Sequence, residues 1–149
     1  MGSLYDGFMS KAESMKCRIG GLRINPQFLP YDDTDKMNRE TDNGPYHLFV
    51  IEVRDQIASI FVGDQRTHNS VVCAIHLSRD DIQGGGFLYL DPDNRLTLGD
   101  SSGSFGSAPE VLLERFVSLI AAQLNGNGTN IAGTKVKPDP ETLNDFWKG

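Results

Sequence analysis

The chain has 149 residues, 38% hydrophobic and 23% charged, a balance that suits one globular domain over 1–149 and excludes disorder along its whole length. Its formal charge of -6, without a Lys/Arg cluster, presents a repulsive field to nucleic acid and argues against that partner. No apolar run approaches the ~20 residues of a membrane span and no signal pattern opens the chain, so the expectation is a cytoplasmic protein with no membrane partner.

Cys17-Arg-Ile-Gly-Gly-Leu-Arg-Ile24 reads as a first strand with a bend or bulge at Gly20-Gly21. Asn25 to Pro45, with prolines and the acidic Asp32, Asp33 and Asp35, reads as a long surface loop; the EF-hand spacing is missing, so the aspartates are solvated rather than calcium ligands. Tyr46–Val53 is nearly continuous in apolar residues, as in a central strand buried on both faces, and Ile57–Val62 follows as its hairpin partner. Thr67 can cap a short helix running to about Leu77, with Val71, Val72 and Ile75 on one stripe and His68 in its first turn.

Gly84-Gly85-Gly86 reads as a glycine-rich turn entering a second hairpin, Phe87–Leu90 and Arg95–Leu98, closed through Asp91-Pro92-Asp93-Asn94. Ser107-Ala-Pro-Glu110 has the form of a capping box, with the proline inside the first turn. Leu113, Phe116, Val117, Ile120 and Leu124 then repeat at helical spacing until Asn125-Gly-Asn-Gly128. The expected core therefore spans about 17–124, between an irregular N-terminal segment and a turn-rich tail over 125–149 that can fold back to bury Trp147. Two successive hairpin-plus-helix units suggest pseudo-symmetry. Cys17 and Cys73 fit no metal or redox spacing and read as buried free thiols.

The strongest chemical signal is Leu98-Gly-Asp-Ser-Ser-Gly-Ser-Phe-Gly-Ser107, a strand end passing through small residues into a helix. Backbone N–H groups there, with the hydroxyls of Ser101, Ser102 and Ser104, suit a phosphate or carboxylate cradle. The plain alternative is a connection that needs glycine only for its φ angles. No Gly-Lys-Ser/Thr or dinucleotide fingerprint occurs, and Gly-Asp-Ser lacks the downstream histidine of serine hydrolases. Among the histidines, His47 and His76 read as structural. At a helix start the dipole disfavours the imidazolium of His68, leaving a neutral nitrogen able to attack or accept a proton; an exposed residue of no consequence is the alternative.

Over about residues 46–120 this order resembles the Janus/Ocnus, phosphohistidine phosphatase-like family. The likeness is carried by His68 with Val71, Val72 and Ile75, by Gly84-Gly85-Gly86-Phe87, and by Leu98 to Gly106. The resemblance implies an α+β fold with a mixed β-sheet of about five or six strands flanked by two helices. It also implies metal-independent phosphoryl hydrolysis without a cofactor, with His68 taking the phosphoryl group or activating water. Ser101, Ser102, Gly103 and Ser104 would hold the phosphate beside Gly85 and Gly86, and the partner would be a phosphorylated protein or a small anionic ligand. The chain departs from the family pattern at Phe87, where the family has arginine; Arg66 or Arg79 would have to replace that guanidinium. The alternative expectation is a non-catalytic binding module or an assembly subunit, the latter forming a homo-oligomer through apolar tail residues.

Overall fold

A computed structural model describes residues 14–24, 47–63, 67–99 and 108–137. Within them lie six strands, β1 (Lys16–Leu22), β2 (His47–Arg54), β3 (Ile57–Gly63), β4 (Ile82–Leu90), β5 (Arg95–Gly99) and β6 (Gly133–Lys137), and two helices, α1 (His68–Ala74) and α2 (Glu110–Gly126). The strands form one mixed sheet in the order β1-β3-β2-β4-β5-β6. The outermost pairs, β1 with β3 and β5 with β6, are parallel, and the inner pairs are antiparallel.

β2 is central because its first six residues are buried, as a continuous apolar run requires. It joins β3 through Asp55 and Gln56, both at positive φ, the backbone of a two-residue hairpin whose twist matches its strands. β4 and β5 meet through a longer turn held by one carboxylate. Asp91 accepts the N–H groups of Asp93 and Arg95 and the Arg95 Nε–H, while Asn94 takes the left-handed position at φ 62°. In β1 the register shifts between Ile19 and Gly21, the bulge expected at the glycine pair. A Cβ at Gly20 would enter the Phe61 ring.

Alternation along the strands sorts the side chains between two layers. Phe49, Ile51, Ala58, Ile60, Leu88, Leu90, Leu96 and Leu98 pack with Leu112, Leu113, Phe116, Val117, Ile120 and Leu124 of α2 as the main core. On the other face α1 sets Val71 and Val72 against Leu48, Val50 and Ile82, with Phe61, Leu77 and Phe87 at the margin. The helices cover opposite faces, so the two hairpin-plus-helix units are not related by a symmetry that preserves the sheet's sides.

Several expectations need correction. Gly84-Gly85-Gly86 is not a turn; it lies within β4, paired with Ile51, Val50 and Phe49. β4 begins at Ile82 because a short 3-10 turn, Arg79–Asp81, delivers the chain to the sheet. α1 ends at Ala74 rather than near Leu77. Leu77 N–H bonds to Val72 O at 3.1 Å and His76 N–H to Cys73 O at 3.3 Å, with His76 at φ 57°, a Schellman closure that curls the chain out of the helix. Cys73 is exposed and Cys17 only half-buried, since Val71 and Val72 point inward and Cys73 turns away from them. Pro109 is the N-cap of α2 and makes no side-chain cap, so the proline stands outside the first turn; Ser107 lies outside the described residues, as do the Asn25–Pro45 loop, Arg66 and Trp147.

Gly133–Lys137, within the segment expected to be turns, is the edge strand β6. It adds parallel to β5 across α2, and only Val136 packs against the core, too little for a periodic signal. Loop bonds fix its approach: Ala132 N–H donates to Asn94 O at 2.8 Å and Ile131 N–H to Asn125 Oδ1 at 2.8 Å.

Gly86 and Gly126 provide opposite tests of this packing. A Cβ at Gly86 would collide with the Gly99 carbonyl and the Phe49 ring, whereas Gly126, at the end of α2, has open space around it. Gly86→Ala is expected to destabilise the fold by about 3 kcal/mol, and Gly126→Ala to stabilise it by about 0.5 kcal/mol, both read from chemical denaturation midpoints.

Candidate functional site

His68 opens α1, and the local sequence explains why the helix begins there. Thr67 is in extended conformation and its Oγ1 accepts the Ser70 N–H at 3.0 Å, satisfying one donor of the first turn. Val71 and Val72 then anchor the helix on β2, and this placement carries the His68 ring to β4.

There His68 Nε2 lies 2.9 Å from the carbonyl oxygen of Gly86. A carbonyl only accepts, so Nε2 carries the proton and donates it; in the neutral ring the lone pair is then on Nδ1. Burial lowers the pKa of His68 below its usual 6.5, and the bond to Gly86, which favours the protonated ring, opposes this less strongly. The neutral imidazole expected from sequence is thus present, but its main cause is desolvation by the packed sheet.

Gly86 also marks where β5 stops accompanying β4. The described pairing of the two strands runs from Leu90↔Leu96 to Phe87↔Gly99. Beyond it Gly99 O lies so close over Gly86 that no Cβ fits between them. At the other end of the serine-rich segment, a Cβ on Gly84 would lie 3.0 Å from the Ala108 backbone nitrogen. Gly99 and Ala108, the described residues on either side of 100–107, therefore lie against Gly86 and Gly84 on the side of the sheet that α2 covers. Ser101, Ser102, Gly103 and Ser104 themselves lie outside the described residues.

Gly85 is buried and pairs with Val50. Sequence analysis placed Gly99 in the Leu98–Ser107 segment but did not single out the carbonyl of Gly86 as a site-forming group. The available signal was glycine at alternate positions 84 and 86, which places both on one face of a strand where another chain segment crosses. His47 is 1% exposed in β2, where it pairs with Leu88, and His76 lies just past the end of α1. Phe87 occupies the next position of β4: its ring lies across Gly99 and stacks on Tyr89 with centroids 5.8 Å apart and planes 10° apart. Arg79 belongs to the exposed 3-10 turn before β4.

Because the folded-state pKa of His68 is lowered, the unfolded chain binds more protons below neutrality. The contribution of His68 to stability is present above pH 6.5 and declines as pH falls through 6.5 towards the lower folded value. Denaturant titrations at pH 7.5 and 5.5 should show His68→Gln losing less stability on acidification than wild type. No helix among the described residues is long and apolar enough to cross a membrane. The chain matches no protein-family model, no curated protein sequence and no solved structure.

Proposed function

We propose that this protein is a phosphohistidine phosphatase-like domain that binds or hydrolyses a phosphoryl group through His68. The observation that carries the reading is the bond from His68 Nε2 to Gly86 O, which orients the ring and leaves its lone pair on Nδ1. That nitrogen attacks phosphorus while the bond to the leaving group breaks and its electron pair departs with that group; water then cleaves the phosphorus–nitrogen bond. In the general-base variant Nδ1 takes a proton from water and the water oxygen attacks instead. Ser101, Ser102, Gly103 and Ser104 supply amide and hydroxyl donors to the phosphoryl oxygens in this reading, and the backbone at Gly85 and Gly86 forms the wall behind them. Support comes from Gly99, which adjoins the serine-rich segment and whose carbonyl lies over Gly86, the residue that holds His68.

Phe87 favours a second reading, a binding module that holds the anion without turning it over. A phenyl ring contributes no charge to a developing phosphoryl dianion, whereas a guanidinium would make a bidentate contact.

The test is dephosphorylation of a phosphohistidine peptide and of phosphorylated polylysine, followed by 31P NMR. Wild type is expected to release phosphate, and His68→Ala to lower the rate by about 100-fold or more. Equal rates in both proteins would remove His68 from the mechanism. Binding of the phosphopeptide without release would assign the domain to the second reading.

A further inference from the structure

We propose that the cavity between α1 and the β1–β3 edge of the sheet binds a small monocarboxylate with an apolar body, its carboxylate on Arg23 and its body against Phe61. The site is independent of the phosphatase reading, since neither His68 nor Gly86 lines it.

The cavity follows from the bulge in β1. Up to Ile19 the strand pairs residue for residue with β3; the shift then sets Gly21 opposite Phe61 and Leu22 opposite Val62. Gly20 and Gly21 bring no side chain into this space, and the Phe61 ring lies against both of them. α1 ends at Ala74, and Val71, Ala74 and Ile75 form the opposite wall. The resulting cavity has a volume of about 220 Å³, below the ~300 Å³ at which drug-sized pockets begin, so its occupant is small.

Phe61, Leu22, Val71, Ala74 and Ile75 give the lining an apolar surface, and Arg23 is its one charged residue among the described residues. The Arg23 N–H donates to Val62 O at 3.0 Å, which fixes this residue beside β3 just past the end of β1. Its side chain is exposed, and no carboxylate among the described residues pairs with it. Arg18, whose Nε donates to Ser59 Oγ at 2.7 Å, adds a second positive charge on this face of the edge.

A guanidinium at the rim of an apolar cavity matches a carboxylate that leads an apolar chain. The planar head takes two parallel hydrogen bonds from the fork while it stays near solvent, and the chain leaves water. The formal charge of -6 on the whole protein repels a multivalent anion more strongly than a monoanion, which narrows the class to a single carboxylate.

The test titrates octanoate, below its micelle-forming concentration, against two controls. Octanamide keeps the chain without the charge, and acetate keeps the charge without the chain. Methyl-resolved NMR is expected to show octanoate shifting the signals of Leu22, Val71 and Ile75, with octanamide about fivefold weaker and acetate about tenfold weaker or more. Arg23→Gln should bring octanoate down to the octanamide affinity, and Arg23→Lys should keep part of the difference. Ala74→Leu enlarges a side chain of the lining from an exposed helix position, so it should abolish binding with the thermal midpoint unchanged. Equal affinities of wild type for octanoate and octanamide would overturn the role of Arg23 and with it the carboxylate class. Octanoate that leaves the three methyl signals unmoved, or that binds Ala74→Leu as tightly as wild type, would overturn the site itself.

Discussion

The arrangement depends on a backbone contact that excludes side chains. Where β5 ends, the Gly99 carbonyl lies over Gly86, and a methyl group on Gly86 would occupy that oxygen's place. Strands in an antiparallel pair ordinarily keep their side chains between them and anything stacked on the sheet. Here glycine lets one chain segment settle directly on another. The same stretch of β4 supports Ala108 at Gly84 and receives His68 at Gly86, so the start of α1, the end of β5 and the approach to α2 converge on three consecutive residues. The sheet bears this local loss of side chains because β2, the partner of those glycines, supplies Phe49, Val50 and Ile51, all fully buried.

The two faces of the sheet are covered unequally, and His68 lies under the smaller helix. α2 spans 17 residues and buries seven of them against the aliphatic and aromatic side chains of β2, β3, β4 and β5; that layer is the stability-determining core. α1 has seven residues and two buried valines. Its small footprint leaves room on its own face for polar groups, including Ser59, which receives Arg18 Nε at 2.7 Å, and for the Phe87–Tyr89 stack. A short helix also places its first residue near the helix–sheet contact instead of far out in solvent. His68 is consequently both a helix-start residue and a partly desolvated one, and desolvation dominates its protonation.

Much of the fold was legible because its signals are local. The unbroken apolar run of β2, the helical spacing of Leu113 through Leu124, the Thr67 cap and the Asp91 turn each express a rule that acts within about ten residues. Gly84-Gly85-Gly86 was misread as a turn for a related reason: three glycines suit a turn by conformational freedom, and nothing nearby in sequence reveals that Gly99 and Ala108 come to rest on them. β6 escaped notice because an edge strand with a single core-facing valine, Val136, carries almost no period. The end of α1 at Ala74 was also hidden, since His76 adopts at φ 57° a conformation usually left to glycine.

By itself the sequence determined an α+β chain with two hairpins, two amphipathic helices and a histidine at the start of the shorter one, since these follow from periodicity, capping and turn chemistry among near neighbours. Tertiary structure alone decided that the glycines serve as a platform, that Gly86 O sets the His68 tautomer, and that Phe87 lies across Gly99. Each of these is a contact between segments separated by 12 or more residues, and its existence depends on how the sheet is ordered, which no local pattern encodes.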